Sequence, residues 1–219
     1  MAGAGRERLR QLGAMGGLMM FRIVIFALLA VFCVAGGAVA KDMQKLNRIA
    51  AIYESGDVAK TITEMKPYLV SNPDDDLAWT ILGHAYLDAE KKPEAEKAYK
   101  EALRINPKMF QAVTGLGMLA SASKKYDEAM KWYEQAIKMN PKYAQAYSSI
   151  VTIALKRGDF KKAVSMGEKG VQLNKTDPVI ASNLAIAYHY DKQIEARDRM
   201  AKTAIQLGYK NGEIGRAHV

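Results

Sequence analysis

The sequence predicts an all-α protein in which one helix–turn–helix unit is repeated about five times. The first observation is a periodic marker: Asn72-Pro73, Asn106-Pro107 and Asn140-Pro141, with Asn174-Lys175 in the fourth place, follow one another at equal intervals of 34 positions. The second observation is that apolar residues between these markers recur at helical spacing, so that they share one face of a helix. Because one such unit cannot bury its apolar face alone, the repetition predicts units stacked into a solenoid.

The clearest unit begins with the stretch 79–86, Trp-Thr-Ile-Leu-Gly-His-Ala-Tyr. Trp79, Leu82 and Tyr86 share one helical face, and Gly83 beside them leaves room for a neighbouring helix. Three further residues continue the pattern into the next helix: Ala95, Tyr99 and Ala102. The W-x-x-L-G-x-x-Y string and the 34-residue period resemble the tetratricopeptide (TPR) repeat. This resemblance implies a right-handed superhelical solenoid of about five TPR helix–turn–helix repeats.

The period divides the repeat domain, residues 41–212, into five units: 42–75, 76–109, 110–143, 144–177 and 178–211. The first unit has polar residues at signature positions and is predicted to cap the solenoid, since a terminal repeat must face water. Gly83 and Gly117 are expected where the two helices of a repeat come closest. In the fourth unit Gly167 and Gly170 fall inside the second helix, at a cost of about 0.8–1.0 kcal/mol each relative to Ala. That helix, residues 160–173, is predicted to be the least stable internal one.

Residues 1–40 differ in composition from the repeats. Four arginines precede an uncharged stretch, 23–40, which ends in the small residues Ala38-Val39-Ala40. A basic N-terminal region, an apolar stretch and an A-x-A cleavage motif together resemble a secretory signal peptide that is cleaved after Ala40. The alternative is an uncleaved inner-membrane anchor formed by residues 23–40, because a stretch of this length is just enough to span a bilayer. The chain is thus predicted to be a bacterial protein that is exported, periplasmic or secreted, or else anchored to the inner membrane.

Further features concern the two ends of the chain. Met20 begins a stretch that makes a well-proportioned signal by itself, so translation from Met1 or from Met20 is left open. The only cysteine, Cys33, lies in the apolar stretch after a bulky residue, which argues against a lipoprotein signal, and a cleaved chain would contain no thiol. The C-terminal residues 213–219 read like a translated sequencing adapter, and we expect them to be a non-native tail in which His218 has no function.

The inventory of reactive residues predicts that the protein is not an enzyme. Apart from His218, the histidines are His84 and His189, which lie on different helices three repeats apart. The sequence contains no metal-binding, nucleophile-elbow or phosphate-loop motif, so no cofactor and no metal are expected. Residues 41–212 carry 27 Lys/Arg and 21 Asp/Glu, interspersed along the helices without a nucleic-acid-binding motif, which argues against nucleic acid. The positive charge rises towards the C-terminal half, where it either steers an acidic partner or solvates the outer helix faces.

The TPR resemblance implies a binding surface as well as a fold. In TPR proteins the first helix of each repeat lines a concave groove that binds an extended peptide or a partner's helix. The matching positions of this chain, called inner-face residues below, are Leu77, Thr80, His84, Leu87, Gln111, Thr114, Met118, Gln145, Ser148, Thr152, Lys156, Val179, Ser182, Ile186 and His189. They are small, polar and mostly uncharged, and they lack the Lys and Asn clamp with which some TPR proteins bind a terminal carboxylate.

The sequence therefore predicts a non-enzymatic protein–protein interaction scaffold or adaptor of the cell envelope, which binds a peptide or a partner helix in the concave groove. The alternative function is a structural or self-assembling solenoid within an envelope or secretion complex. Contact with a membrane is expected only through an uncleaved N-terminal helix.

Overall fold

The computed structural model describes residues 37–209, with side chains from residue 42 onward. Most of the predicted signal peptide or anchor, residues 1–36, and the predicted tail, 213–219, lie outside the described residues. Within 37–209 the chain is all-α, with ten helices and no strand. The predicted fold class is therefore confirmed.

The helices form five consecutive pairs that recur every 34 residues, and the first helix of the first pair begins at Gly37, ahead of the predicted unit 42–75. Their bounds are α1 Gly37–Glu54, α2 Val58–Ser71, α3 Asp76–Asp88, α4 Lys92–Ile105, α5 Phe110–Ala122, α6 Tyr126–Met139, α7 Ala144–Arg157, α8 Phe160–Leu173, α9 Pro178–Tyr190 and α10 Ile194–Gln206. The two helices of a pair pack against each other in α1–α2, α3–α4, α7–α8 and α9–α10, and a second helix packs against the first helix of the next pair in α2–α3, α4–α5 and α8–α9. Consecutive packing of this kind buries the apolar face that a single pair leaves open.

The described chain divides into two compact units, residues 37–132 and 133–209. The N-terminal unit contains α1 to α5 and the first half of α6, and the C-terminal unit contains the second half of α6 and α7 to α10. Each unit has a buried apolar cluster of its own. Tyr99 and Leu116 belong to the cluster of the N-terminal unit, and Tyr147, Ile180 and Leu184 to that of the C-terminal unit.

The periodic asparagines lie where the second helix of a pair ends. At Asn72 and Asn174 the side-chain amide donates to the carbonyl four residues earlier, at 3.1 and 3.2 Å. At Asn106 and Asn140 the side-chain oxygen accepts the N–H two residues later, at 3.0 and 3.1 Å. These bonds satisfy backbone groups that a helix end leaves without partners, so the 34-residue marker has a local physical cause.

The turn inside each pair contains one residue with a left-handed backbone. These residues are spaced by 34 positions: Gly56 with φ 88°, Glu90 with φ 59°, Lys124 with φ 59°, Gly158 with φ 75° and Lys192 with φ 62°. Glycine adopts this conformation freely, whereas an L side chain crowds the following carbonyl at a cost of about 1–2 kcal/mol. The repeat geometry therefore imposes strain at the three positions that are not glycine.

The ring of Tyr99 is packed where two glycines leave space for it in the N-terminal unit. A Cβ atom at Gly83 would lie 2.5 Å from Cε1 of Tyr99, and one at Gly115 would overlap the same ring. Gly83 thus lies at a close helix contact, as the sequence predicts. Gly115, which the sequence pattern did not single out, is the second glycine against Tyr99.

Gly167 and Gly170 of α8 face the first helices of the C-terminal unit. A Cβ atom at Gly167 would lie 2.9 Å from Leu184 Cδ1, and one at Gly170 would lie 2.8 Å from Ile180 Cγ1 and 2.9 Å from Tyr147 Cβ. The glycines therefore permit a close approach of α8 to its neighbours. The helix propensity that they lose is offset in part by this packing.

Candidate partner-binding surface

The inner-face residues of the N-terminal unit lie on α3 and α5, which pack against each other. The apolar members, Leu77, Leu87 and Met118, are half-buried. Thr80 and Thr114 are buried, and each hydroxyl donates to the carbonyl four residues earlier, at 2.8 and 2.9 Å. The two hydroxyls therefore already have an acceptor within their own helices.

His84 is held inside the N-terminal unit by Tyr99. Its Nδ1 lies 2.9 Å from the Tyr99 hydroxyl, and the two rings meet edge to face with centroids 5.1 Å apart. The side chain is 2% exposed, and burial lowers the pKa of His84 to about 3, so the imidazole is neutral at physiological pH. His84 thus orders Tyr99 between Gly83 and Gly115, and it presents almost no surface to a partner.

The inner-face residues of the C-terminal unit lie on α7 and α9, which also pack against each other. Thr152, Ile186 and His189 are half-buried and Lys156 is exposed. The remaining members are buried: Gln145, Ser148, Val179 and Ser182. Gln145 Oε1 accepts a hydrogen bond from the Tyr143 hydroxyl at 2.9 Å, within the same unit.

Some inner-face residues hold a buried polar atom without a hydrogen-bond partner among residues 37–209. They are Gln111 through Oε1 in the N-terminal unit, and Ser148 and Ser182 through Oγ in the C-terminal unit. Ser148 and Ser182 occupy the repeat position that Thr80 and Thr114 occupy in the earlier repeats, where the hydroxyls are bonded. A buried polar atom left unpaired costs about 1–3 kcal/mol. The inner face therefore retains unused hydrogen-bonding capacity.

The inner face is less accessible than the sequence suggests. Eight of the fifteen inner-face residues are buried, because neighbouring first helices pack closely enough to cover small side chains. The residues that a partner reaches without rearrangement are the half-buried and exposed ones: Leu77, Leu87, Met118, Thr152, Lys156, Ile186 and His189. They combine apolar and polar side chains and include one lysine.

The titratable groups with shifted pKa values serve in structural hydrogen bonds. Burial, together with a hydrogen bond to Glu168, raises the pKa of Tyr188 to about 12. Asp177 caps the start of α9 by accepting from the N–H groups of Val179 and Ile180, and its burial raises the pKa of this carboxyl. Among the described residues, no three His, Cys, Asp or Glu side chains are grouped as a metal site, and no helix has the length and apolarity to cross a membrane.

Tandem helix pairs whose geometry recurs at a 34-residue period define a helical-repeat protein. The sequence model of the tetratricopeptide repeat matches residues 51–110, 80–144 and 114–178, and the chain belongs to the TPR family. The family resemblance drawn from Trp79 to Tyr86 is thereby confirmed.

Solved structures of TPR proteins resemble the chain in fold. The structure of pilF from Pseudomonas aeruginosa matches with a TM-score of 0.69 at 16% identity, covering 82% of both chains. PilW, a widely conserved type IV pilus biogenesis factor, matches with a TM-score of 0.64 at 18% identity, covering 79% of both chains. YrrB, a TPR protein with an unusual peptide-binding site, matches with a TM-score of 0.54 at 16% identity, covering 79% of this chain and 89% of YrrB. No curated protein matches the chain.

Family membership places the protein in a general functional class. TPR proteins bind peptide or protein partners, and they are in general scaffolds without catalytic activity of their own. The interaction-scaffold class predicted from the sequence is therefore supported by the family and by its solved relatives.

Proposed function

We propose that the protein is a non-enzymatic interaction scaffold or adaptor of the cell envelope, which binds a peptide or a helix of a partner on the inner-face residues. The observation that carries this proposal is the unpartnered polar atoms of Gln111, Ser148 and Ser182. Selection for stability alone would favour replacing such atoms by apolar groups, since each costs about 1–3 kcal/mol. The main chain of a bound peptide has its own donors and acceptors. If the inner face opens slightly around the peptide, these groups can form the hydrogen bonds that the three side chains lack.

The accessible inner-face residues favour a partner that is mainly apolar or uncharged. Leu77, Leu87 and Met118 in the N-terminal unit, and Ile186 in the C-terminal unit, offer apolar surface beside these polar atoms. An interface of this composition depends on shape and hydrogen bonding more than on charge, so its affinity is expected to change little with salt. The peptide-binding site of YrrB, a protein of the same fold, supports a peptide as the ligand.

Variants of the C-terminal unit test this surface. Thr152→Lys with Ile186→Lys places two charges among half-buried inner-face residues, where the side chains can reach water while obstructing a partner. The matched control, Ser165→Lys with Gln172→Lys, adds the same charge at exposed positions of α8. In pull-downs from an envelope extract with the full chain as bait, the inner-face pair should lose bound partners that the control retains. Loss in the control alone would assign binding to another surface.

The proposal of an envelope location rests on the signal-like or anchor-like segment 1–40 and on PilW, a pilus biogenesis factor of the same fold. Sequencing the N-terminus of the protein recovered from cell fractions separates the two forms. A chain beginning at Lys41 in the periplasmic fraction is expected for a cleaved signal, and an intact chain in the inner membrane for an anchor. An intact chain in the cytoplasmic fraction would contradict both.

The alternative, a self-assembling solenoid, is favoured by one observation on α10. Ile194 and Ile205 are 48% and 56% exposed, whereas Phe160 and Val171, one repeat earlier, are half-buried against the apolar cluster of the C-terminal unit. A second copy of the chain would cover this face in the way that the following helices cover α8. Sedimentation velocity of the full chain over a range of concentrations tests this alternative, and a constant monomer mass would exclude it.

A further inference from the structure

The last helix of the described chain, α10, has an exposed face that combines apolar and charged side chains. Ile194 and Ile205 are 48% and 56% exposed. They are separated by about three helical turns, so both lie on one face of the helix. Asp198 lies between them on this face and Lys202 lies at its edge, and both are exposed. These four residues are called the α10 face below.

The α10 face occupies positions that α8 buries in the preceding repeat. Ile194, Asp198 and Ile205 correspond, one 34-residue period earlier, to three members of the apolar cluster of the C-terminal unit: Phe160, Val164 and Val171. A neighbour that covers the two isoleucines also covers the carboxylate of Asp198, and a buried charge without a partner is costly. The α10 face therefore fits a surface that is apolar at two points and carries a cation between them.

The first helix, α1, does not offer such a surface. In the C-terminal unit, α9 presents Ile180 and Leu184 to α8. The residues of α1 at the same repeat positions are Gln44 and Arg48, which are both exposed, and Arg48 forms an ion pair with Glu64 of its own chain. If α1 of a second copy covered α10 as α9 covers α8, these polar side chains would be buried against the isoleucines. The sequence of α1 thus argues against a head-to-tail stack of copies.

A second copy of α10 offers the required surface when the two helices run antiparallel. With a twofold axis through the middle of α10, Ile194 of one copy lies opposite Ile205 of the other, and Asp198 lies opposite Lys202. Arg197 of the same copy donates to Oδ1 of Asp198 at 2.8 Å, and the second carboxylate oxygen can still accept from a lysine. Lys202 forms no ion pair with any residue in 37–209. The α10 face is therefore complementary to itself in both apolar contact and charge.

We propose that the α10 face is a homodimer contact, in which two copies of the chain pair their α10 helices antiparallel about a twofold axis. The inference deepens the self-assembling alternative given above, because it names the face and the symmetry, and none of the four residues is an inner-face residue. A twofold contact uses the same surface of both copies and closes on itself, so it gives a dimer and not a filament. The face of one helix is smaller than a standard interface, and we expect a dissociation constant of about 10–100 µM.

Two charge reversals test the pairing by sedimentation velocity of the full chain, at concentrations up to about 500 µM. Asp198→Lys places two lysines on each α10 face, and Lys202→Asp places two aspartates there. Like charges then meet in either homodimer, so each variant alone should sediment as a monomer where the unaltered chain forms a dimer. A mixture of the two variants should form a heterodimer, because each lysine of one copy then faces an aspartate of the other.

A third variant tests the apolar part of the contact. Ile205→Asp should raise the dissociation constant about tenfold or more, because the symmetry removes this isoleucine from both ends of the contact. Val70→Asp is the matched control, since Val70 of α2 is 83% exposed in the N-terminal unit, and it should change the constant by less than about twofold. Circular dichroism of each variant checks folding, and Ile205→Gln replaces Ile205→Asp if that variant unfolds.

Three results would overturn the proposal. A constant monomer mass of the unaltered chain over the whole concentration range would exclude the dimer and the self-assembling alternative together. Association that Ile205→Asp and both charge reversals leave unchanged would assign self-assembly to another part of the chain. Association that the reversals abolish and their mixture does not restore would show that the helices do not pair antiparallel. Thr152→Lys with Ile186→Lys should leave the dimer intact, so this proposal and binding on the inner-face residues can fail independently.

Discussion

The buried His84 should make the N-terminal unit sensitive to mild acid. An imidazole in water has a pKa of about 6.5, whereas burial lowers the pKa of His84 to about 3. Below pH 6.5 the unfolded chain binds a proton at His84 that the folded chain does not bind until the pH approaches 3, so acidification favours unfolding across this window. Linkage gives a loss of about 1.4 kcal/mol per pH unit below 6.5, or about 2 kcal/mol in the free energy of unfolding between pH 7 and pH 5. Carboxylates with ordinary pKa values stay mostly ionised between pH 7 and pH 5, so they contribute little to this loss.

Tryptophan fluorescence provides the assay, since Trp79 and Trp132 are the only tryptophans and both pack against the apolar cluster of the N-terminal unit. Urea unfolding should give a free energy about 2 kcal/mol lower at pH 5 than at pH 7 for the unaltered chain. His84→Gln should remove most of this difference whatever its own effect on stability, and His189→Gln should retain it. If His84→Gln and the unaltered chain show the same pH dependence, the buried neutral imidazole is not its source and the reasoning is refuted.

Three further predictions concern stability. Gly83→Leu should destabilise the N-terminal unit by about 1–3 kcal/mol in urea unfolding, because the new side chain would clash with Tyr99. An equal or higher stability would show that Gly83 is not needed for this close contact. Lys124→Gly should stabilise the protein by about 1 kcal/mol in the same assay, because glycine adopts the left-handed backbone conformation of this position without strain. A destabilised variant would show that the turn is not strained. Amide hydrogen exchange should be faster in α8 than in α4, because α8 contains two glycines, which lower its helix propensity. Equal protection of the two helices would show that the close packing at these glycines fully offsets the lost propensity.

The sequence predicts those features of the fold that depend on local chemistry. The periodic asparagines bond to backbone groups within four residues, so their spacing marks helix ends directly. Gly83 was predictable for a similar reason, since the position of a glycine on an apolar helix face shows where a neighbour can approach. The left-handed residues Glu90, Lys124 and Lys192 were not predictable from composition. A cost of about 1–2 kcal/mol is small enough for the rest of the repeat to tolerate an ordinary side chain there.

The site was less predictable than the fold, because burial depends on the distance between helices. Family positions indicate which face of a helix Thr80, Thr114 and Ser182 occupy, but they do not show how closely the next first helix covers that face. Gly115 was missed for the same reason, since the ring that needs its space belongs to Tyr99 on another helix.

The unpartnered hydroxyl of Ser182 gives a direct test of the inner face. Ser182 is fully buried and its Oγ has no hydrogen-bond partner among residues 37–209. Ser182→Ala should therefore stabilise the protein by about 1 kcal/mol, since it removes a buried hydroxyl that forms no hydrogen bond in the folded chain. In calorimetry this corresponds to a rise in Tm of about 2–4 °C for a chain of this size. The same substitution should weaken binding of a partner whose main chain uses this hydroxyl.

Thr80→Val is the matched control at the equivalent repeat position. The buried Thr80 hydroxyl donates to the Asp76 carbonyl at 2.8 Å, so its removal loses a formed hydrogen bond and should destabilise the protein by about 0.5–1.5 kcal/mol. Both substitutions remove one buried hydroxyl and should have opposite signs. If Ser182→Ala is destabilising as well, the hydroxyl of Ser182 is satisfied in solution, and the unused hydrogen-bonding capacity that supports peptide binding on the inner face is absent at this position.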